Sequence, residues 1–213
     1  MINPKFVMLD CDGVLVDSEP ATNQVLSDNL TGYGFPVSQE DCIRLFVGGT
    51  LAGVGDYVRD QGVALPDHWV DEIYEQAFEA LSKGVPLFPG VVEFLDMLDA
   101  RGIGYCIISN GPLPKMKITL GPSGLIDRFG DRIYSAHDPG PAKPEPGMLI
   151  RAAKDAGVST SDCIMVDDSA NGLMAANAAS VHAIAFIVDG HPTPKVPFDT
   201  LVNGFDALAN LIE

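Results

Sequence analysis

The sequence predicts an α/β protein: an open parallel sheet in a three-layer α/β/α sandwich, with a small helical domain inserted after the first strand. Three observations point there. Short apolar runs recur along the chain, too brief for helices, and several end in polar residues. Segments with apolar residues at helical spacing lie between them, which is the alternation of a parallel sheet covered on both faces. One long stretch, from about Ser18 to Pro86, breaks the alternation and carries helical patterns alone.

The first run, Phe6-Val7-Met8-Leu9, ends at Asp10 and reads as a buried strand. Further strands are expected at Gly104–Ile108, running into Ser109, and at Arg132–Ser135, Cys163–Val166 and His182–Phe186. Helical patterns fall at Val91–Leu98, Met148–Ala153 and Ala170–Ala179; the last is rich in alanine and methionine, both good helix formers. Within the insertion the amphipathic segments are Ala21–Leu30, Gln39–Phe46, Leu51–Gln61 and Asp67–Ser82. Breaks fall at Gly32–Pro36, Gly48-Gly49 and Leu65-Pro66. The expected division is a Rossmann-like core of residues 1–17 and 87–213 and a helical domain of residues 18–86.

Bulk properties narrow the function. The chain has 213 residues, 46% hydrophobic and 20% charged, enough to build a sizeable core and too apolar for wholesale disorder. A net charge of −16 repels nucleic acid over most of the surface and obliges any phosphate site to be locally positive. Cys11, Cys42, Cys106 and Cys163 form no CxxC pair and no zinc-like cluster, and three of them sit in apolar runs. A reduced, cytoplasmic setting is the simplest expectation. The N-terminus shows no secretory leader pattern, and no run approaches the ~18 apolar residues of a membrane helix. Neither a nucleic acid nor a membrane is an expected partner, and a monomer is the favoured state.

In open parallel sheets ligands bind outside the carboxyl ends of the strands. The groups expected there are Asp10-Cys11-Asp12-Gly13, Ser109-Asn110-Gly111, Lys143-Pro144 and Asp167-Asp168-Ser169. Carboxylates brought together repel unless a cation lies between them. Oxygen-only donors select a hard ion, of which Mg²⁺ is the usual one beside phosphates. A carboxylate can attack phosphorus, and phosphoryl transfer mainly needs positioning and charge neutralisation. A second carboxylate two residues on can protonate the leaving oxygen and later deprotonate water. Each piece alone has a plainer reading: Asp-x-Asp as a turn, Asp168 or Ser169 as a helix N-cap, Lys143 as a solvated lysine, Trp69 as helix packing. The four histidines show no ligand spacing.

Taken together these segments carry a resemblance. Leu9-Asp10-Cys11-Asp12-Gly13-Val14-Leu15-Val16-Asp17-Ser18-Glu19 resembles the first motif of the haloacid dehalogenase superfamily of phosphatases. Ser109-Asn110-Gly111 resembles its second motif, Lys143-Pro144-Glu145-Pro146 its third and Val166-Asp167-Asp168-Ser169 its fourth, all in order. The resemblance covers the whole chain, and the helical insertion looks like the family's four-helix cap. It implies Asp10 as nucleophile and Mg²⁺ ligand. It implies Asp12 as general acid/base, with its backbone carbonyl on the metal. Asp168 would bind Mg²⁺ directly, and Asp167 directly or through water. Ser109, the Asn110 amide and Lys143 would hold the phosphoryl oxygens.

Within the family the chain is most similar to the branch of beta-phosphoglucomutases and sugar-phosphate phosphatases. That implies a small phosphorylated metabolite as substrate, a sugar or sugar-acid phosphate such as 6-phosphogluconate. It also implies that the turn of Val47, Gly48, Gly49 and Thr50 helps select it. A mutase-like isomerase is the alternative. It needs a basic grip on a second phosphate, for which only Arg44, Arg59 and Lys83 come to hand. A phospho-accepting receiver module is more remote, because receivers are shorter and lack a helical insertion.

Overall fold

The computed structural model describes residues 1–46, 50–188 and 193–213. The sheet has six strands: β1 (Phe6–Leu9), β2 (Gly104–Ser109), β3 (Ile133–Ser135), β4 (Cys163–Asp167), β5 (His182–Phe186) and β6 (Thr200–Val202). Their order is β3-β2-β1-β4-β5-β6, and every neighbouring pair is parallel. This is a Rossmann-like α/β sheet. All residues of β1 and β4 are buried, as expected of strands covered on both faces.

The face carrying Phe6, Met8, Cys106 and Ile108 packs against α8 (Gly147–Asp155) and α9 (Ala170–Ala179). Small residues of α9 (Ala175, Ala176 and Ala179) lie in that contact, letting the helix come close to the sheet. The opposite face carries Tyr105. Its ring meets Phe129 of α7 (Leu125–Phe129) edge to face, and its hydroxyl bonds Asp99 of α5 (Val91–Arg101). Helix α10 (Phe205–Leu211) joins α5 through the Phe94–Phe205 contact. Truncating a wholly buried side chain such as Leu173 or Leu98 costs about 2–5 kcal/mol.

The chain divides into two compact units, Met1–Asp17 with Pro86–Glu213, and Ser18–Val85. Paired segments form the exit and return: Val16 bridges Leu87 antiparallel, and the Asp17 N–H donates to Pro86 O at 3.0 Å. The second unit is helical: α1 (Glu19–Gly32), α2 (Gln39–Phe46), α3 (Leu51–Asp60) and α4 (Trp69–Ser82). Its centre is Trp69, fully buried, whose indole N–H donates to Asn29 Oδ1 at 2.8 Å. Asn29 in turn donates to Glu72 and Gln76, so this polar group inside the helical core is satisfied.

Strand β6 and helices α6 (Leu113–Leu120), α7 and α10 were not expected from the sequence. Strand β6 has three residues, with Leu201 exposed at the sheet edge, too short for a periodic signal. No helix among the described residues is long and apolar enough to cross a membrane.

Candidate active site

Because all six strands run parallel, the residues that follow them gather at one edge. Strand β1 lies between β2 and β4, where the chain reverses its direction of travel across the sheet. Such a switch point is the standard ligand crevice of open α/β sheets. Asp10 follows β1, Ser109 ends β2, and Asp167 ends β4.

The loop after Asp10 is a tight turn. Leu15 and Val16 N–H both donate to Cys11 O, at 2.9 and 3.0 Å, and Gly13 N–H donates to Val16 O at 3.0 Å. Gly13 has φ +79°, and a Cβ there would land on the Asp168 carboxylate. Gly172 stands in the same relation to Asp167, since its absent side chain is the space the Asp167 carboxylate fills. Ser169 caps α9 through its side chain, accepting from Gly172 N–H at 3.1 Å.

Asp167 is fully buried. Its Oδ1 accepts from Ser169 N–H at 2.9 Å and Ser169 Oγ at 2.6 Å, and its Oδ2 accepts from Lys143 Nζ at 2.7 Å. Lys143 is also buried. Its Nζ donates to Ile108 O at 3.1 Å and stands 2.9 Å from Asp10 Oδ1. Burial disfavours the Lys143 charge, but Asp10 and Asp167 more than offset that, so the ammonium is held above its ordinary range. Asp10 is pushed the other way, up to about 7. Burial is the main cause, opposed by Lys143 and reinforced by Asp167 and Asp12.

Among the described residues, the acidic side chains able to share one ion are Asp10, Asp167 and Asp168, with an oxygen of each within 4.8 Å of the others. Asp10 Oδ1 is buried, with Lys143 Nζ 2.9 Å away and no well-aligned hydrogen bond among the described residues. A buried acceptor among three carboxylates fits a hard, oxygen-seeking cation. The Asp12 carboxylate has a different partner, Lys115 Nζ at 2.8 Å.

Ser109 is buried, and its Oγ accepts from Gly111 N–H at 3.0 Å, so its own hydrogen is the part left to donate. The Asn110 side chain turns to the third motif: Nδ2 donates to Lys143 O, and Oδ1 accepts from Lys143 N–H, both at 2.9 Å. It fixes the backbone that carries Lys143, and the Lys143–Pro144 peptide is cis. Thr50 lies in the helical unit and caps α3, accepting from Gly53 N–H at 3.1 Å. Val47, Gly48 and Gly49 lie outside the described residues.

Sequence reasoning gave no role to Lys115 or to the space at Gly172. Lys115 stands far along the chain from Asp12, and no local pattern marks their pairing. Burial disfavours its charge, yet the charge and hydrogen bond of Asp12 hold its ammonium above the ordinary range.

The arrangement can hold a cation against a buried carboxylate, offer donors to an anion, and present a second carboxylate for proton transfer. A family model for haloacid dehalogenase-like hydrolases matches residues 4–180. The chain is 30% identical to 6-phosphogluconate phosphatase of Escherichia coli, over 89% of this chain and 86% of that protein. It is also 30% identical to a phosphoglycolate phosphatase of Pseudomonas savastanoi, over 85% of this chain and 69% of that one. A haloacid dehalogenase-like protein of Agrobacterium tumefaciens superposes with a TM-score of 0.87 at 30% identity, covering 98% of this chain and 97% of that one. A hydrolase of the same family from Deinococcus radiodurans, solved with bound phosphate and sodium, gives 0.84 at 26% identity, covering 100% and 99%. A family match together with phosphatase relatives makes the chain a phosphoric monoester hydrolase. With the model spanning most of its length and the fold shared end to end, the chain belongs to the haloacid dehalogenase-like hydrolases.

Proposed function

We propose that this protein hydrolyses a sugar or sugar-acid phosphate, such as 6-phosphogluconate, by way of a phosphoryl group carried on Asp10. The observation that carries the reading is the setting of Asp10: a buried carboxylate with Lys143 Nζ 2.9 Å away and two further carboxylates beside it. Mg²⁺ would be held by Asp10, Asp168 and the Asp12 backbone carbonyl. Asp167 would take a smaller share, because its two oxygens already accept three hydrogen bonds. When bound, the ion neutralises charge on the phosphoryl oxygens.

In this reading an Asp10 oxygen attacks phosphorus. The ester P–O bond breaks with its electron pair on the departing oxygen, and Asp12 gives that oxygen a proton. Water then attacks the same phosphorus while Asp12 takes a proton from it. The P–O bond to Asp10 breaks, restoring the carboxylate and releasing inorganic phosphate. Ser109 Oγ–H and the Lys143 ammonium hold the phosphoryl oxygens. Asn110 helps through its main-chain N–H, since its side chain is engaged with Lys143. The helical unit Ser18–Val85 serves as the substrate-selecting cap.

Hydrolysis is favoured over a mutase reaction by the cations that would have to grip a second phosphate. Arg44 pairs with Asp41 at 2.7 Å, Arg59 with Asp56 at 3.2 Å and Lys83, just after α4, with Glu79 at 3.6 Å. The test is phosphate release from 6-phosphogluconate, phosphoglycolate and hexitol phosphates, with Mg²⁺ and in excess chelator. Release that needs Mg²⁺ and vanishes in Asp10→Asn supports the reading. Full activity in chelator, or primed conversion of beta-glucose 1-phosphate to glucose 6-phosphate without phosphate release, refutes it.

A further inference from the structure

We infer that Lys115 is a positioning residue that aims the Asp12 carboxylate at the leaving oxygen, an inference that rests on the acid/base role proposed for Asp12. The backbone of Asp12 is fixed by its bridge to Val16 and by the turn that follows Asp10. What remains to be fixed is the side chain. Its Oδ2 is 2.8 Å from Lys115 Nζ, in a pair whose side chains are 27% and 18% exposed, sheltered enough for the ion pair to resist screening by water.

Helix stability does not account for a lysine here. Lys115 is the third residue of α6 (Leu113–Leu120), whose first turn holds no acid. A cation at that end is disfavoured by the helix dipole. Packing does not account for it either, since burial disfavours the ammonium.

Two lysines therefore divide three of the site's carboxylates between them. Lys143 answers Asp10 and Asp167, and Lys115 answers Asp12. The division has a purpose in the proposed reaction. A phosphoryl group on Asp10 is a strong anion and pushes an unanchored Asp12 away when it must face the departing oxygen or the attacking water. The ion pair between Lys115 and the Asp12 carboxylate holds it in place. Mispositioning of this kind costs a part of what an acid/base contributes, roughly 10- to 100-fold.

The experiment is a double-mutant cycle in the full chain with saturating Mg²⁺. It uses Lys115→Met, Asp12→Asn and the pair, with Lys115→Gln in reserve if the methionine variant does not fold. Each is assayed on an alkyl phosphate and on p-nitrophenyl phosphate. For Lys115→Met, kcat on the alkyl phosphate is expected to fall roughly 10- to 100-fold, with KM within about twofold. On the aryl ester, whose leaving oxygen needs little protonation, the first nitrophenol release should stay fast and later turnovers should slow. Lys115→Arg should recover part of the loss. In the Asp12→Asn background the Lys115 substitution should add little. An unchanged kcat, a rise in KM alone, or an equal loss in the Asp12→Asn background overturns the inference. If Asp12→Asn itself keeps full activity, the acid/base reading is what fails.

Discussion

Replacing Asp10 should make the metal-free protein more stable. Asp10 has a carboxyl raised from 3.8 to about 7, chiefly by burial, with the Lys143 attraction already included. Between those two values the folded chain keeps a proton on Asp10 that the unfolded chain has shed. Folding free energy is therefore lost as pH rises through this window and fully present below it. Each pH unit is worth about 1.4 kcal/mol, so the ionised carboxylate costs the fold roughly 4 kcal/mol at pH 8. Asp10→Asn removes that charge and keeps the shape, leaving the Lys143–Asp167 pair at 2.7 Å in place. Urea unfolding in chelator at a series of pH values measures the effect. The variant should be more stable at pH 8 by up to about 4 kcal/mol, and the gain should fade towards pH 4. Adding Mg²⁺ should narrow or invert the difference, because an ion that binds only the folded state stabilises the wild type. A variant less stable than wild type at pH 8 in chelator, or a gain independent of pH, would refute the reasoning.

Other substitutions probe the remaining contacts. Asn110→Ala removes both hydrogen bonds to the Lys143 backbone and should lower kcat/KM about 10- to 100-fold in a protein that still unfolds cooperatively. Gly172→Ala puts a methyl where the Asp167 carboxylate sits; a loss of about 1–3 kcal/mol in stability and a higher Mg²⁺ requirement are expected, measured by urea unfolding and Mg²⁺ titration of activity. Asp168→Ala should raise the Mg²⁺ concentration for half activity more than tenfold, roughly. Asp167→Ala should act more on stability, because it strips Lys143 of one of its two anionic partners.

Most of the sheet was legible because buried parallel strands leave an unmistakable trace. Strands β1, β2 and β4 are unbroken apolar runs that stop where the chain meets the polar edge. The helical stretch was legible for a different reason: its breaks are made by glycine and proline, and Gln39–Phe46 forms α2 as the spacing suggests. Strand β6 was hidden because an edge strand of three residues, one of them exposed, has no period to read. The candidate residues were readable as types. What could not be read was their direction. The Asn110 amide is expected at an anion, but nothing local shows that its side chain holds the Lys143 backbone. Gly172 lies in the first turn of α9, and nothing local shows that its lack of a side chain makes room for Asp167. Such contacts depend on the fold bringing distant segments together, and no local pattern encodes them.

The pairing of β1 sets an order for assembly on the ribosome. Phe6 pairs with Gly104 on one side and Cys163 on the other, so the earliest strand made must wait for two of the later ones. The helical unit Ser18–Val85 draws on neighbours close in sequence and can form first, since local contacts close quickly and long-range ones slowly. Until β4 emerges, the apolar Phe6–Leu9 segment has an unpaired edge, and Asp10 has no Asp167 beside it. A chain stalled before residue 163 would carry a folded helical unit on an unfinished sheet, the form most in need of a chaperone.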